Sequence, residues 1–189
     1  EFSVVRSFYD EDILLELTSA TLAATILYTL DGADPTPSKG MEYNGAITIT
    51  ESTSVRAAAY REEYLSSSIS TNTYILRGTD LEKALPAIMI VGDPEESLFN
   101  PNGIMASGFD GDNFFDNARE HGREFERPIS IELIEPMAGE WNEEIGFQLN
   151  CGIRVHGSDY VRLRSSHGDD WYTCTTQSSP NKFSFRFYF

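Results

Sequence analysis

Long apolar runs are missing from this chain. No stretch of about 18 apolar residues occurs, so no segment is built to cross a bilayer as a helix. Cations are scarce as well: 14 Lys and Arg stand against 30 Asp and Glu, a formal charge of −16. Such a field repels nucleic acid and anionic lipid, which removes both from the expected partners. Cysteine is nearly absent, and Cys151 and Cys174 permit one pairing only. A bridge between them would add about 3 kcal/mol by restricting the unfolded chain; the alternative is two buried, unpaired thiols. With 3 widely spaced histidines, a zinc site would need Asp or Glu to complete it, and only the loop His167-Gly168-Asp169-Asp170 has that look. No G-x-S-x-G elbow and no Cys/His catalytic pattern appears. Neighbouring acids such as Glu124/Glu126 or Glu143/Glu144 are what chance supplies in so acidic a chain, rather than a glycosidase dyad.

Helical periodicity is also scarce, and what is present is strand. Residues 13–17, 25–30, 46–49, 54–60 and 69–75 form short runs separated by Asp/Gly/Pro/Ser clusters, the pattern of an all-β sandwich. Within the fourth run Val55, Ala57 and Ala59 are expected to face inward, with Ser54, Arg56 and Ala58 facing out. A polar stretch at 77–85, with about one turn of helix at 80–84, marks a boundary. Residues 86–91 read as a doubly buried strand. Asp93-Pro94-Glu95-Glu96 has the look of a helix start. The Gly/Asn/Asp-rich segment 100–121 predicts an irregular loop, and strands follow at 128–134, 147–156 and 183–189. The chain opens on Glu1-Phe2 without a signal-peptide pattern and closes inside an alternating aromatic strand, which reads as a segment of a longer protein.

Several constellations bear on chemistry. An alternating strand runs through Tyr28 and Thr29 into Asp31-Gly32-Ala33-Asp34-Pro35, where Asp-Gly suits a tight turn and Asp-Pro an extended exit. Asp31 and Asp34 are candidate cation ligands, or caps of their own turn. Asp110, Asp112 and Asp116 place carboxylates near Asn113 as Ca²⁺ loops do, without the distal glutamate of an EF-hand. Alternation puts Leu149, Cys151, Ile153 and Val155 on one strand face, with Arg154 and His156 on the other. Lys182 and Arg186 oppose Phe183, Phe185, Phe187 and Phe189 in the same way. If these strands are neighbours, Arg154, His156, Lys182 and Arg186 form a basic stripe of the kind a phosphate site needs; the alternative is an outer face whose cations pair with nearby acids. Trp141, Tyr160, Trp171 and Tyr172 offer aromatic faces to a glycan, or fill a core.

Two resemblances follow from these residues. "YTLDGADPT", then "YNGAITIT" and "TSVRAAAYREEYLSSSISTNTY", resemble the chitobiase/β-hexosaminidase C-terminal-like, fibronectin type III-associated module over residues 1–77, with Glu62-Glu63 standing where glycine is commoner. Residues 86–189, after a linker at 78–85, look like the N-terminal segment of a CotH-type spore-coat kinase. "LPAIMIVGDPEESLF", "GREFERPISIELIEP", "FQLNCGIRVHG" and "KFSFRFYF" carry that likeness, while residues 158–179 depart from the family pattern. The first resemblance implies a non-catalytic module of secreted or cell-surface bacterial proteins. The second implies ATP and Mg²⁺ chemistry only in a longer protein, because the acids that hold Mg²⁺ and orient the attacking hydroxyl would lie past residue 189.

The expectation is therefore a mainly β chain: an immunoglobulin/fibronectin-like sandwich, then a second β-rich portion with little helix. Its expected role is a structural, accessory segment of a larger extracellular bacterial protein, with other domains of the same polypeptide as partners and Ca²⁺ as the candidate ion. The alternatives are a module that binds surface glycan or protein, and the first part of an atypical kinase.

Overall fold

The computed structural model describes residues 1–110, 113–117, 120, 122–135, 146–156 and 184–189. The fold is mainly β. Its contacts group into two compact units: residues 1–91 with 130–150, and residues 92–129 with 151–189.

The first unit is built on a sandwich. Strands β1 (Ser7–Tyr9), β2 (Ile13–Leu15), β3 (Thr25–Thr29), β4 (Met41–Glu42), β5 (Ile47–Ile49), β6 (Thr53–Tyr60) and β7 (Ser70–Leu76) follow one another along the chain. A five-stranded sheet takes the order β1-β7-β6-β3-β4, and β2 pairs with β5 in a second sheet. β6 runs antiparallel to β3 and β7, with Tyr28 opposite Ala57 and Val55 opposite Asn72, whereas β1 joins β7 in parallel. Ile13, Leu15 and Ile49 from the small sheet, with Leu17 just past β2, meet Val55, Ala57, Tyr74 and Leu76 from the large one. This is the alternation a two-layer sandwich demands, one face of each strand turned to the shared core. Leu15 and Val55 are fully buried, and each such side chain adds about 2 kcal/mol by leaving water.

Two short strands, β1 and β4, were not expected, being too brief to show alternation. The outward face of β6 also differs from expectation. Arg56 and Ala58 are 2% and 4% exposed, because the large sheet is covered on both faces; β6 is buried at four successive positions.

After β7, Thr79 caps a single helical turn, α1 (Asp80–Lys83). Its backbone N–H donates to Glu82 Oε2 at 2.7 Å, and its hydroxyl accepts from Glu82 N at 3.3 Å. Donation to Glu82 Oε2 from the Thr79 backbone N–H, and from its hydroxyl at 2.8 Å, holds the Glu82 carboxyl below its usual range. Strand β8 (Ala87–Val91) pairs antiparallel with the later strand β11 (Arg127–Ile134), Ile90 opposite Ile131. The start of β12 (Phe147–His156) lies along the other side of β11.

In the second unit Asp93 opens a short π-helical turn (Pro94–Leu98), its carboxylate accepting from Glu95 N and Glu96 N at 3.0 Å each. The segment expected to be an irregular loop contains an antiparallel hairpin, β9 (Ser107–Asp110) with β10 (Asn113–Asp116). Its Gly, Asn and Asp residues hid the strand pair, in which Phe109 stands opposite Phe114. The rest of β12 pairs antiparallel with β13 (Ser184–Tyr188), Ile153 opposite Phe187 and Val155 opposite Phe185. Ile153 and Val155 are buried, as are Ile104, Ala106 and Ile129.

Candidate functional site

Two places gather chemistry-bearing side chains. The first is the turn that follows β3. Thr29, at the end of β3, donates from Oγ1 to Ala33 O at 2.6 Å, and Ala33 N donates to Asp31 Oδ1 at 3.0 Å. Gly32 sits at φ +86°, where a side chain would be strained, which explains why glycine follows Asp31. Arg56 reaches the turn from β6, opposite Thr29 in the register. Its Nη1 donates to Gly32 O at 2.7 Å and to Asp34 Oδ1 at 2.5 Å. Tyr60, further along β6, donates from its hydroxyl to Pro35 O at 2.9 Å. Burial, and secondarily the Asp34 charge, raise the pKa of that hydroxyl.

The carboxylates considered as cation ligands are thus engaged within the turn: Asp31 caps it and Asp34 neutralises Arg56. Asp110 ends β9 and Asp116 ends β10; the register pairs Asp110 with Asn113, three residues before Asp116. At about 3.4 Å per residue the two backbones stand roughly 10 Å apart, at opposite ends of the hairpin. Asp112 lies outside the described residues. Among the described residues no three His, Cys, Asp or Glu side chains gather as a metal-ligand set.

The second place is the face of β12 and β13 that carries Arg154, His156 and Arg186. Arg154 stands opposite Arg186, and His156 opposite Ser184. Arg186 Nη2 lies 3.3 Å from His156 Nε2. Arg154 is committed differently. Its Nη1 donates to Gly122 O at 2.6 Å, its Nη2 donates to the Tyr188 hydroxyl, and its guanidinium lies 5.2 Å from the Tyr188 ring centre. The structure therefore brings three of the four stripe residues together, with His156 and Arg186 exposed and Arg154 half-buried. Lys182 lies outside the described residues, as do Trp141, Tyr160, Trp171 and Tyr172. On the opposite face Cys151 carries a half-buried thiol that is unpaired among the described residues and whose pKa burial raises, which disfavours the reactive thiolate. Its expected partner, Cys174, is likewise outside the described residues.

Sequence reading missed two participants. Arg56 looked like an outward strand residue; three successive alanines beside it, Ala57 to Ala59, were the available sign of close packing around a cation. Glu132, in the apolar strand β11, is fully buried. Its Oε1 accepts from Thr73 N at 3.2 Å, its Oε2 accepts from Thr73 Oγ1 at 2.5 Å, and Arg6 Nε stands 3.2 Å away. Burial pushes the Glu132 carboxyl up, against the opposing pull of the Thr73 hydrogen bonds and Arg6.

Residues 15–74 match the model of the family described as Fn3 associated. That span runs from Leu15 in β2 to Tyr74 in β7 and contains the whole Asp31–Pro35 turn, so the likeness to that family covers most of the sandwich. No curated protein and no solved structure matches the chain.

Proposed function

We propose that this chain is a non-catalytic, structural segment of a larger extracellular or cell-surface bacterial protein, in which the fibronectin-associated module precedes the start of a CotH-like domain. The observation that carries the reading is the internal use of the signature turn. Asp31, Asp34, Gly32 O and Pro35 O, the groups best placed to hold a ligand, spend their bonds on Ala33, Arg56 and Tyr60. A turn whose polar groups bond to its own residues and to β6 acts as a rigid corner. Its natural partners are the neighbouring domains of the same polypeptide. An oxidising setting of this kind is also where Cys151 and Cys174 would pair; labelling in denaturant without reductant should modify neither cysteine, and two labelled cysteines would refute the bridge.

Two measurements test the main reading. Fractionation of the source cells should find the protein outside the cytoplasm. The purified chain, incubated with Mg²⁺ and radiolabelled ATP, should transfer no phosphate to itself or to a general acceptor; transfer above background would overturn the non-catalytic assignment.

The grouping of Arg154, His156 and Arg186 favours a second reading, a phosphate-holding face that serves a kinase in the longer protein. Two exposed cationic or protonatable groups 3.3 Å apart suit a phosphate oxygen. Calorimetric titration with ATP should then give heat that disappears in Arg186→Glu. Equal heat from the variant would remove this face from consideration.

A further inference from the structure

We propose that Asn44 is a spontaneous deamidation site, and that the fold directs this reaction to Asn44 while protecting Asn102, the chemically equivalent residue. Both asparagines precede glycine, as does Asp31, and the local surroundings of the three steps differ sharply.

The chemistry needs a free neighbour. The Gly45 amide nitrogen gives its proton to solvent base and attacks Asn44 Cγ. As the new C–N bond forms, the bond to Nδ2 breaks, and Nδ2 takes a proton and leaves as ammonia. Water then opens the cyclic imide. Cleavage at Cγ gives aspartate; cleavage at the main-chain carbonyl gives isoaspartate. Water enters, ammonia leaves, and nothing is oxidised or reduced. Glycine at the following position favours the closure because it adds no Cβ and keeps the backbone mobile.

Asn44 and Gly45 are both exposed, in the link between β4 and β5. A Cβ built on Gly45 would meet nothing within 4 Å. Among the described residues the Gly45 N–H has no hydrogen-bond partner. The Asn44 side chain makes one long bond, Nδ2 to Glu42 O at 3.3 Å. Asn102–Gly103 is the reverse. Gly103 is buried, its N–H is engaged with Phe99 O at 2.7 Å, and a Cβ there would collide with the backbone of Leu98 and Phe99. Asn102 Nδ2 is held by Glu96 Oε2 at 3.0 Å, and its carbonyl accepts from Arg127 Nε at 2.9 Å. Neither the nucleophile nor the leaving group at Asn102 can move. Asp31–Gly32 is restrained too: Asp31 Oδ1 accepts from Ala33 N, and Gly32 is buried with its carbonyl on Arg56.

The product adds a carboxylate to a chain already at −16 and, as isoaspartate, one methylene to the main chain. The Asn44 link carries the polypeptide from the large sheet to the small one, with Tyr43 N still bonded to Ile26 O at 2.8 Å. Open space around Gly45 lets the native fold accept the change.

The test is peptide mapping by mass spectrometry of the folded chain aged at mildly alkaline pH, with isoaspartate scored by enzymatic methyl transfer. The Asn44 peptide should convert severalfold faster than the Asn102 peptide. In urea-unfolded chain the two should convert at similar rates, which ties the difference to the fold. Gly45→Ala, which the open space accommodates, should keep the same unfolding midpoint and slow conversion at Asn44 severalfold. Equal native rates at Asn44 and Asn102, or conversion in Gly45→Ala as fast as in the parent, would overturn the proposal.

Discussion

Arginine is used in opposite ways in the two units. In the sandwich, Arg56 is 2% exposed and bolted to Gly32 O and Asp34. On the β12–β13 face, Arg186 is exposed, with its Nη2 3.3 Å from His156 Nε2. Arg154 lies between these extremes, half-buried and spent on Gly122 O and Tyr188. The lesson is that a cation's role follows from its dielectric surroundings. A buried guanidinium needs its charge paired or it costs several kcal/mol, and Arg56 meets this through Nη1 while its buried Nε has no partner among the described residues; an exposed one is nearly free energetically and remains available to a ligand.

Substitutions at these positions should sharpen the contrast. The largest effect is expected for Arg56→Ala, which leaves the Asp34 carboxylate and the Gly32 carbonyl without their donor; urea unfolding should show a loss of about 3 kcal/mol or more. A loss below about 0.5 kcal/mol would mean that Arg56 is no more a frame residue than Arg186.

Glu132→Gln probes the same frame through pH. Glu132's folded pKa is raised by burial above the ordinary 4.5. Its contribution to stability is thus fully present below 4.5 and is lost as pH rises through the raised folded value. The parent should therefore gain stability relative to the Gln variant as pH falls from neutral towards 4.5, measured as the difference in unfolding midpoints. A pH-independent difference would show that Arg6 and Thr73 compensate the buried charge completely.

A smaller change is expected from Tyr74→Phe, which removes the hydroxyl that donates to Val4 O at 2.9 Å and keeps the ring in the core. The cost should be about 1 kcal/mol. Burial also raises the pKa of that hydroxyl, so absorbance titration should find this tyrosine ionising last and regaining ordinary behaviour on unfolding. The smallest stability effect belongs to Arg186→Glu, within about 0.5 kcal/mol. A larger loss would place Arg186 in the frame with Arg56 and dissolve the comparison.

The alternating segments announced most strands. β2, β3, β5, β6, β7, β8, β11, β12 and β13 fall within a residue or two of the runs read from the apolar pattern, because alternation, or for β8 a continuous apolar run, is what strand geometry with one or two covered faces produces. β9 and β10 escaped notice because Gly108, Asp110 and Asn113 mask alternation, and a hairpin in such a segment is held by main-chain bonds. The basic face was legible in part: alternation put Arg154 and His156 on one side of a strand and Arg186 on the corresponding side of another. That these strands are adjacent, with Arg154 opposite Arg186, was a matter of pairing.

Local spacing, then, was enough to establish a mainly β chain and the Asp31–Pro35 turn, since both depend on backbone preferences within a few residues. Arg56 under the turn and Glu132 on Thr73 join residues 22 and 59 positions apart. Their burial reflects which faces of a sheet are covered, and only long-range packing decides that. The same packing sets the contrast between Asn44 and Asn102: identical Asn-Gly steps, one with its amide free among open space and the other with its amide bonded and enclosed.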